Sequence, residues 1–453
     1  MKLFIFISTI FFLLWGTVFA TDPVSVVAPY RFGVEVQNDT LYIPFYRSKP
    51  LYYQYTAVTR AVILIHGATR NANTYYSTLQ TAASHAYVPS SNIILIAPQF
   101  LVEVDISAHN LPSNILFWST SGWKIGHKSK STTSHPRPFR ISSFAVMDSL
   151  LYLLASNNPN LQTIVVAGHS AGGQYVNRYA AGSPMIDYLK THFGITVRCV
   201  VANPSSYLYF NSERHVQGSY TQFAVPPYNV IQACPTYNQY RYGLEGLNSY
   251  MSSVGATQIR AQYPGRNVIY LLGEEDTNPN DPWLDVSCAA MLQGSQRLER
   301  GIIYFNFLKY YFGNTIFATQ ELAIIPGVGH SHSGIYLSDC GLYYLFDYGS
   351  CPTVSVSRGE SDQQLPGRFR LGINYPNPFN SRTILPISLP RPGSVTIEII
   401  DVQGKVVRPA LHRFFLTGVH TIPIEMEHLP GGIYFIRARW RNHYRVRKVL
   451  LLK

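Results

Sequence analysis

The residues with the clearest chemical potential form the segment 168–172, Gly-His-Ser-Ala-Gly, in which two glycines flank a serine. The β-branched run at 163–166 predicts a buried strand before it, and the segment 174–181 can continue as a helix after it. A sharp turn between a strand and a helix exposes the serine hydroxyl, and small neighbours let the backbone pass without collision. The helix N-terminus would offer N–H groups and a positive dipole end to a developing oxyanion. This context favours a nucleophilic role for Ser170 over a chance match.

Other apolar runs in the chain predict a sheet that would position this serine. Buried strands are expected at 61–65, 93–97, 196–202, 267–272 and 321–325. Strands that alternate with helices imply right-handed crossovers and a mostly parallel sheet, which meets its ligands at the carboxyl ends of the strands. Polar or glycine-rich residues follow these ends at 66–67, 170, 203–206, 273–276 and 327–330. The sequence therefore predicts an α/β fold with one site at this edge of the sheet.

The span from about 61 to 344 resembles an α/β-hydrolase. The resemblance rests on the serine motif and on His-Gly-x-x-Arg-Asn-Ala at 66–72, which are similar to those of esterases related to polyhydroxyalkanoate depolymerases. It implies a serine hydrolase whose other two catalytic residues follow in the chain order acidic residue, then histidine. Such chemistry needs no metal or organic cofactor, so we expect none.

A serine hydroxyl is a poor nucleophile at neutral pH unless a base lies beside it. His330 follows the last core strand through a glycine-rich loop and is the predicted base, with His332 as the alternative. Asp276 occupies the loop position that the resemblance expects for the acid, which would hold the imidazole in one tautomer. Other candidates for the acid are Glu274, Glu275, Asp281 and Asp285.

The resemblance also implies an oxyanion hole built from two backbone N–H groups. One would belong to Ala171, directly after the nucleophile. The other would come from Ala68, with Thr69 as a near-equal option.

A cap over the site is predicted from an interruption of the strand pattern. The segment 204–262 is rich in tyrosine, asparagine and proline, and it separates two predicted core strands. Aromatic side chains near the site are candidates for substrate binding, although each has ordinary packing as its alternative. These candidates are Trp118, Trp123 and Tyr207.

The first twenty residues predict export. The apolar run at 3–18 ends in Val-Phe-Ala, which is typical of a secretory signal peptide cleaved after Ala20. The run is short for a membrane anchor, and no later stretch is apolar enough for an integral span. Five cysteines in an exported chain permit disulfides, and their spacing does not suggest zinc. Cys340 with Cys351 could close a short loop, and Cys234 with Cys288 could clamp a longer one.

The C-terminal region carries a second resemblance. Asn-Tyr-Pro-Asn-Pro-Phe-Asn at 374–380, Gly-Gly-Ile-Tyr at 431–434 and the basic end at 447–450 are similar to the C-terminal sorting domain of the type IX secretion system. This resemblance implies a small Ig-like β-sandwich at 369–453, a partner in the secretion machinery, and a secreted or cell-surface protein. The polar segment 352–368 is interpreted as a linker, which leaves 21–351 as the catalytic domain.

The distribution of charge argues against nucleic acid as a partner. The formal net charge is +12, but the residues from Pro366 onward hold 14 Lys and Arg against 4 Asp and Glu. The catalytic region is therefore nearly neutral, which favours an uncharged or polymeric substrate over a phosphate backbone.

Taken together, these features predict a secreted serine hydrolase that cleaves small-molecule or polymeric carboxylic esters through an acyl-enzyme intermediate. A peptidase or an acyltransferase on the same fold is one alternative. A surface protein that binds a polymer without catalysis is another.

Overall fold

The computed structural model describes residues 22–37, 39–351, 368–415 and 418–452. The predicted signal peptide at 1–20 lies outside the described residues, and so does the predicted linker at 352–368 apart from Arg368. The boundaries given to the catalytic region, 21 and 351, therefore stay predictions.

Strands and helices alternate through most of the described region 22–351. Its strands are β1 Tyr30–Val36, β2 Asp39–Arg47, β3 Arg60–Ile65, β4 Ile93–Pro98, β5 Thr163–His169, β6 Thr196–Ala202, β7 Arg214–His215, β8 Phe223–Ala224, β9 Asn267–Gly273 and β10 Gln320–Ile325. Its helices are α1 Ala72–His85, α2 Glu103–Ala108, α3 Ser143–Asn157, α4 Ala171–Gly182, α5 Met185–Phe193, α6 Tyr228–Ala233, α7 Ser249–Val254, α8 Ala256–Gln262, α9 Cys288–Met291, α10 Arg297–Phe312, α11 His332–Tyr336 and α12 Asp339–Phe346. Short 3-10 helices occupy Ser90–Asn92, Trp123–Ile125, Tyr263–Gly265 and Asn314–Ala318.

One large sheet runs through this region in the strand order β1-β2-β4-β3-β5-β6-β9-β10. β2 pairs antiparallel with β1 and β4, and the neighbouring pairs from β4 to β10 are parallel. Because successive side chains of a strand point to opposite faces, a sheet covered by helices on both faces has two cores. In β3, Ile63 and Ile65 lie in one apolar cluster, whereas Val62 and Leu64 lie in the other. The topology confirms the predicted α/β-hydrolase fold class.

The segment between β6 and β9 stands where the cap was predicted, at 204–262. It contains the small antiparallel pair β7 and β8, followed by α6, α7 and α8. The Tyr240 hydroxyl donates a hydrogen bond to the carbonyl of Ile125 at 2.7 Å, and the Asn248 amide donates to the same carbonyl at 2.7 Å. The segment therefore packs against the loop that carries Trp123.

Two disulfides fix loops of this region. Cys234, at the end of α6, is bonded to Cys288, the first residue of α9, and this bridge spans a sequence separation of 54. Cys340 is bonded to Cys351 across a separation of 11. The four candidate cysteines thus pair in the two combinations that the sequence suggested.

The C-terminal region is all β, as predicted. Its strands are β11 Arg370–Leu371, β12 Phe379–Asn380, β13 Arg382–Leu389, β14 Gly393–Ile400, β15 Val406–Phe415, β16 Gly418–Glu425, β17 Gly432–Trp440 and β18 His443–Leu452. They form one sheet in the order β11-β13-β16 and a second in the order β12-β18-β17-β14-β15. Inward side chains such as Leu385, Val395 and Ile436 are fully buried in a shared apolar core. In the described parts of the chain, no helix is both long enough and apolar enough to cross a bilayer.

Candidate active site

Ser170 stands at a strained turn between β5 and α4. Its backbone angles are φ 57° and ψ −116°, a conformation that costs energy for a residue with a Cβ atom. The flanking glycines make the turn possible, because a Cβ added to Gly168 would lie 2.3 Å from the carbonyl oxygen of Gly172. A Cβ on Gly172 would lie 2.3 Å from the carbonyl oxygen of Ile65 in β3. The glycine motif is therefore a packing requirement, and it presents the serine at the carboxyl edge of the sheet.

Three side chains from separate loops meet at this edge. The ring nitrogen Nε2 of His330 lies 3.0 Å from Oγ of Ser170. Its Nδ1 lies 2.7 Å from Oδ2 of Asp276. With the proton on Nδ1 donated to the carboxylate, Nε2 is free to accept the hydroxyl proton of Ser170. The structure thus brings the three predicted catalytic residues into one hydrogen-bonded series.

Close backbone packing places the histidine. His330 follows β10 through a loop in which Gly327 has φ 68°, a conformation that favours glycine. The loop lies directly on the end of β9, where a Cβ on Gly273 would come within 2.4 Å of the carbonyl oxygen of Val328. The alternative base, His332, is turned to α1, where it stacks on Tyr75 with ring centroids 4.1 Å apart.

The other candidate acids have different partners. Glu274 accepts a hydrogen bond from the N–H of Gly327 at 3.1 Å, and Glu275 is exposed. Asp281 pairs with Arg297 at 2.9 Å, and Asp285 pairs with Arg241 at 3.3 Å. None of these four hydrogen-bonds to His330 in the described part of the chain.

Arg297 is a functional candidate that the sequence did not reveal. It is almost completely buried, and its Nη1 lies 3.3 Å from Oδ1 of Asp276, the oxygen that His330 does not use. Its Nη2 donates to Asp281 at 2.9 Å and its Nε to Oγ of Ser205 at 3.2 Å. These three contacts fix the guanidinium, which in turn fixes the plane of the Asp276 carboxylate. The sequence alone gave no sign of this contact, because Asp276 lies in the loop after β9 and Arg297 begins α10. Only the folded chain brings the two together.

The predicted oxyanion donors lie on the two sides of Ser170. Ala171 is the first residue of α4, and Ala68 and Thr69 follow β3. In the described residues, none of these three N–H groups donates to a backbone or side-chain acceptor. A Cβ added to Gly67 would lie 3.7 Å from Cβ of Ser170, so this loop passes directly beside Ser170. The role of these N–H groups as oxyanion donors stays a prediction.

Buried polar contacts brace the loop that carries Ala68. His66 Nδ1–H donates to the carbonyl of Gly67 at 2.8 Å, and its Nε2 accepts from the N–H of Phe100 at 2.9 Å. Burial lowers the pKa of His66 to about 4, so the ring is neutral at physiological pH. Arg70 forms a buried bidentate ion pair with Asp105, at 2.8 and 2.9 Å. The histidine of the motif at 66–72 thus braces the loop that follows β3.

His169 packs beside the site without joining the hydrogen-bonded series. Its ring centroid lies 4.6 Å from that of His330, and its Nδ1 lies 3.2 Å from the hydroxyl of Tyr75. Burial, followed by the charges of His330 and His332, lowers the pKa of His169 well below its usual value. The ring is therefore neutral and adds no charge beside His330.

The three aromatic residues expected to contact substrate are placed elsewhere. Trp118 and Trp123 are 1% exposed and Tyr207 is 0% exposed. Trp123 stacks on Phe100 at 5.6 Å, and Tyr207 stacks on Tyr304 at 4.4 Å. The expectation that they line the substrate site is not met, because large aromatic rings close to a sheet are drawn into its core.

An exposed tryptophan lies near Thr69 instead. Trp283 is 56% exposed and lines a cleft of about 430 Å³ together with Thr69 and Asn73. Sequence reasoning missed it, although its position in a loop rich in Asp, Asn and Pro was a usable signal of exposure. The described residues contain no group of three or more His, Cys, Asp or Glu side chains arranged to hold a metal ion.

Comparison with known families identifies the C-terminal region. Residues 374–452 match the family model of the secretion system C-terminal sorting domain. This confirms the predicted sorting domain and indicates that the protein is secreted and attached at the cell surface. No curated protein matches the chain at significant similarity.

Solved structures similar to this chain include three hydrolases. Poly(aspartic acid) hydrolase-1 from Sphingomonas sp. KT-1 is 24% identical over 69% of this chain and 96% of its own, with a TM-score of 0.42. LpqC, the poly(3-hydroxybutyrate) depolymerase from Bordetella parapertussis, is 21% identical over 71% and 92%, with a TM-score of 0.44. The siderophore hydrolase EstB from Aspergillus nidulans is 11% identical over 73% and 100%, with a TM-score of 0.35.

Proposed function

We propose that this protein is a secreted carboxylic ester hydrolase that acts through Ser170, His330 and Asp276 and forms an acyl-enzyme intermediate. The observation that carries the proposal is the hydrogen-bonded series in which His330 lies 3.0 Å from the Ser170 hydroxyl and 2.7 Å from Asp276. A serine, a base and an orienting acid in this arrangement are what nucleophilic acyl transfer requires.

The reaction begins when Ser170 Oγ attacks the ester carbonyl. His330 Nε2 takes the hydroxyl proton as the new bond forms, and the imidazolium gives it to the departing alkoxide. Asp276 holds the ring so that Nε2 faces the serine, and its charge stabilises the imidazolium. Arg297 holds Asp276 from the opposite side. Water activated by His330 then attacks the acyl-enzyme and releases the carboxylic acid.

The negative charge that develops on the carbonyl oxygen needs donors in fixed positions. The N–H of Ala171 lies at the positive end of α4, where a helix dipole favours an anion. The N–H of Ala68 or Thr69 would approach from the loop that His66 and Arg70 brace. Because this loop is held by buried hydrogen bonds, the donors need little reorganisation during the reaction.

Replacing the nucleophile tests the proposal. Ser170→Ala is expected to lower kcat for a short-chain acyl nitrophenyl ester by at least about 10⁴-fold, because the reaction loses its nucleophile. Ser333→Ala, a partly exposed serine of α11, serves as the matched control and is expected to retain activity. Circular dichroism would verify that both variants are folded. Near-wild-type turnover by folded Ser170→Ala would contradict the proposal.

A further inference from the structure

Basic side chains gather where the cap meets helix α4, beside the proposed nucleophile. Arg178 donates from Nε to the carbonyl of Arg241 at 3.1 Å, and Lys124 lies in the short turn whose Ile125 carbonyl accepts from the hydroxyl of Tyr240 at 2.7 Å. The nearby carboxylate is Asp285, which pairs with Arg241 and raises the pKa of Lys124 and Arg178 by its charge. We define Lys124, Arg178 and Arg241 as the cationic cluster.

Asp285 is already occupied by partners of its own. Its Oδ2 pairs with Arg241 at 3.3 Å and accepts a hydrogen bond from the Tyr242 hydroxyl at 2.8 Å. Its Oδ1 accepts from the Ser287 hydroxyl at 2.7 Å. One carboxylate therefore balances one of the three cations and leaves the other two uncompensated.

Arg178 and Lys124 have no counter-ion in the parts of the chain that are described. The buried Arg178 guanidinium donates to neutral oxygens, the carbonyls of Gln174 at 2.9 Å and of Arg241 at 3.1 Å among them. The Lys124 ammonium forms no hydrogen bond or ion pair within the described part of the chain. Burial, with the neighbouring arginines, lowers the pKa of Lys124 to about 8, so most of it is still protonated at neutral pH. A buried charge such as that of Arg178 is costly without a counter-ion, and an anionic ligand beside it would relieve that cost.

The cluster lies within a short reach of the proposed nucleophile. Gln174, one helical turn after Ser170, donates its N–H to the Ser170 carbonyl at 3.0 Å. The Arg178 guanidinium reaches back to Gln174, since side chains of a helix lean toward its N-terminus. These contacts place the guanidinium on the order of 10 Å from the serine hydroxyl. Lys124 follows Trp123, whose ring lies 4.8 Å from that of His66.

We propose that the cationic cluster binds a carboxylate carried by the substrate, so that the preferred esters bear an acid group a short arm away from the scissile carbonyl. The inference rests on the proposed esterase function and narrows its substrate class. Arg178 is fully buried and would act on the carboxylate through its charge, while the partly exposed Lys124 and Arg241 would contact it. Guanidinium and ammonium groups donate charge-assisted hydrogen bonds to carboxylates. The net charge of the whole catalytic region is nearly zero, so it does not reveal the local excess of positive charge at the cationic cluster.

Matched pairs of esters test the inference on the full chain. Nitrophenyl hydrogen glutarate, adipate and suberate carry an acid on the acyl arm, and their methyl esters are the neutral counterparts. Hydroxyphenylacetic acid butyrylated on its phenol oxygen carries the acid on the alcohol arm. The methyl ester of its carboxyl group is the neutral counterpart. We expect kcat/KM to be about tenfold higher for the acid in at least one pair, as one charge-assisted contact would give.

Two variants link that preference to the cluster. Lys124→Met is expected to lower the acid-to-neutral ratio of kcat/KM at least about fivefold. Lys128→Met removes an exposed positive charge from the same loop and is expected to leave the ratio unchanged. Hydrolysis of the neutral esters with no preference for an acid in any pair would overturn the inference and leave the proposed function standing. Failure to hydrolyse any ester, neutral or acidic, would overturn both.

Discussion

His66 is expected to make the stability of the protein depend on pH. Its ring is fully buried and bonded on both nitrogens, with Nε2 accepting from Phe100 and Nδ1–H donating to Gly67. Protonation of Nε2 would break the contact with Phe100 and bury a charge. The pKa of His66 is lowered to about 4 in the folded protein, chiefly by burial, from an ordinary value of 6.5. Between these two values the unfolded chain binds the proton and the folded chain does not.

The sign and size of the effect follow from this difference. The stabilising contribution of His66 is fully present above pH 6.5 and is lost as the pH falls toward 4, because the unfolded state then gains the proton. By proton linkage, His66 lowers the free energy of unfolding by about 2 kcal/mol at pH 5. This loss approaches about 3 kcal/mol once the pH is below both pKa values. His169, whose pKa is also lowered by burial, adds to the total slope. A comparison between variants is therefore needed to isolate His66.

Urea unfolding from pH 8 to pH 5 provides that comparison. His66→Gln keeps an amide that can accept from Phe100 but removes the titrating ring. The variant is expected to be less stable at pH 8 and to lose about 2 kcal/mol less than the wild type on going to pH 5. Tryptophan fluorescence, to which Trp123 contributes with its ring 4.8 Å from that of His66, reports the transition. If the unfolding free energies of the two proteins fell by the same amount between pH 8 and pH 5, the assignment of a neutral, buried His66 would be refuted.

Two further substitutions test the acid and the disulfides. Asp276→Asn is expected to lower kcat about 10⁴-fold while the fold is kept, because the amide can present the wrong tautomer of His330; loss of less than about tenfold would argue against this acid. Opening the Cys234–Cys288 bridge with alanines is expected to cost about 4 kcal/mol in urea unfolding, against about 3 kcal/mol for Cys340–Cys351, since the separations are 54 and 11. A larger loss from the shorter loop would contradict the loop-closure reasoning.

Local patterns in the sequence were sufficient to predict the scaffold. The run of apolar residues in β3 predicted a strand buried on both faces, and its alternate side chains do enter two cores. The Gly-His-Ser-Ala-Gly motif predicted a tight turn. The structure has that turn, with a φ of 57° at Ser170 and close backbone contacts at Gly168. Both features depend on neighbours along the chain.

Features that depend on contacts between distant segments were not predictable in the same way. Arg297 is 21 residues from Asp276, and only the packing of α10 against the end of β9 joins them. Trp118 and Trp123 gave no local sign of being buried, since a tryptophan in a long loop can equally be exposed. The cationic cluster combines residues of α4, the cap and the loop before α3. A net charge summed over the whole region does not reveal such a local excess of positive charge.

The most direct test of the proposed catalytic serine is covalent labelling. A fluorophosphonate probe reacts with a serine that is activated by a neighbouring base, so the folded, full-length protein is expected to form one adduct. Mass spectrometry of the digested protein should locate it on Ser170, and the Ser170→Ala variant should remain unlabelled. A folded protein without an adduct, or with its adduct on another residue, would contradict the account.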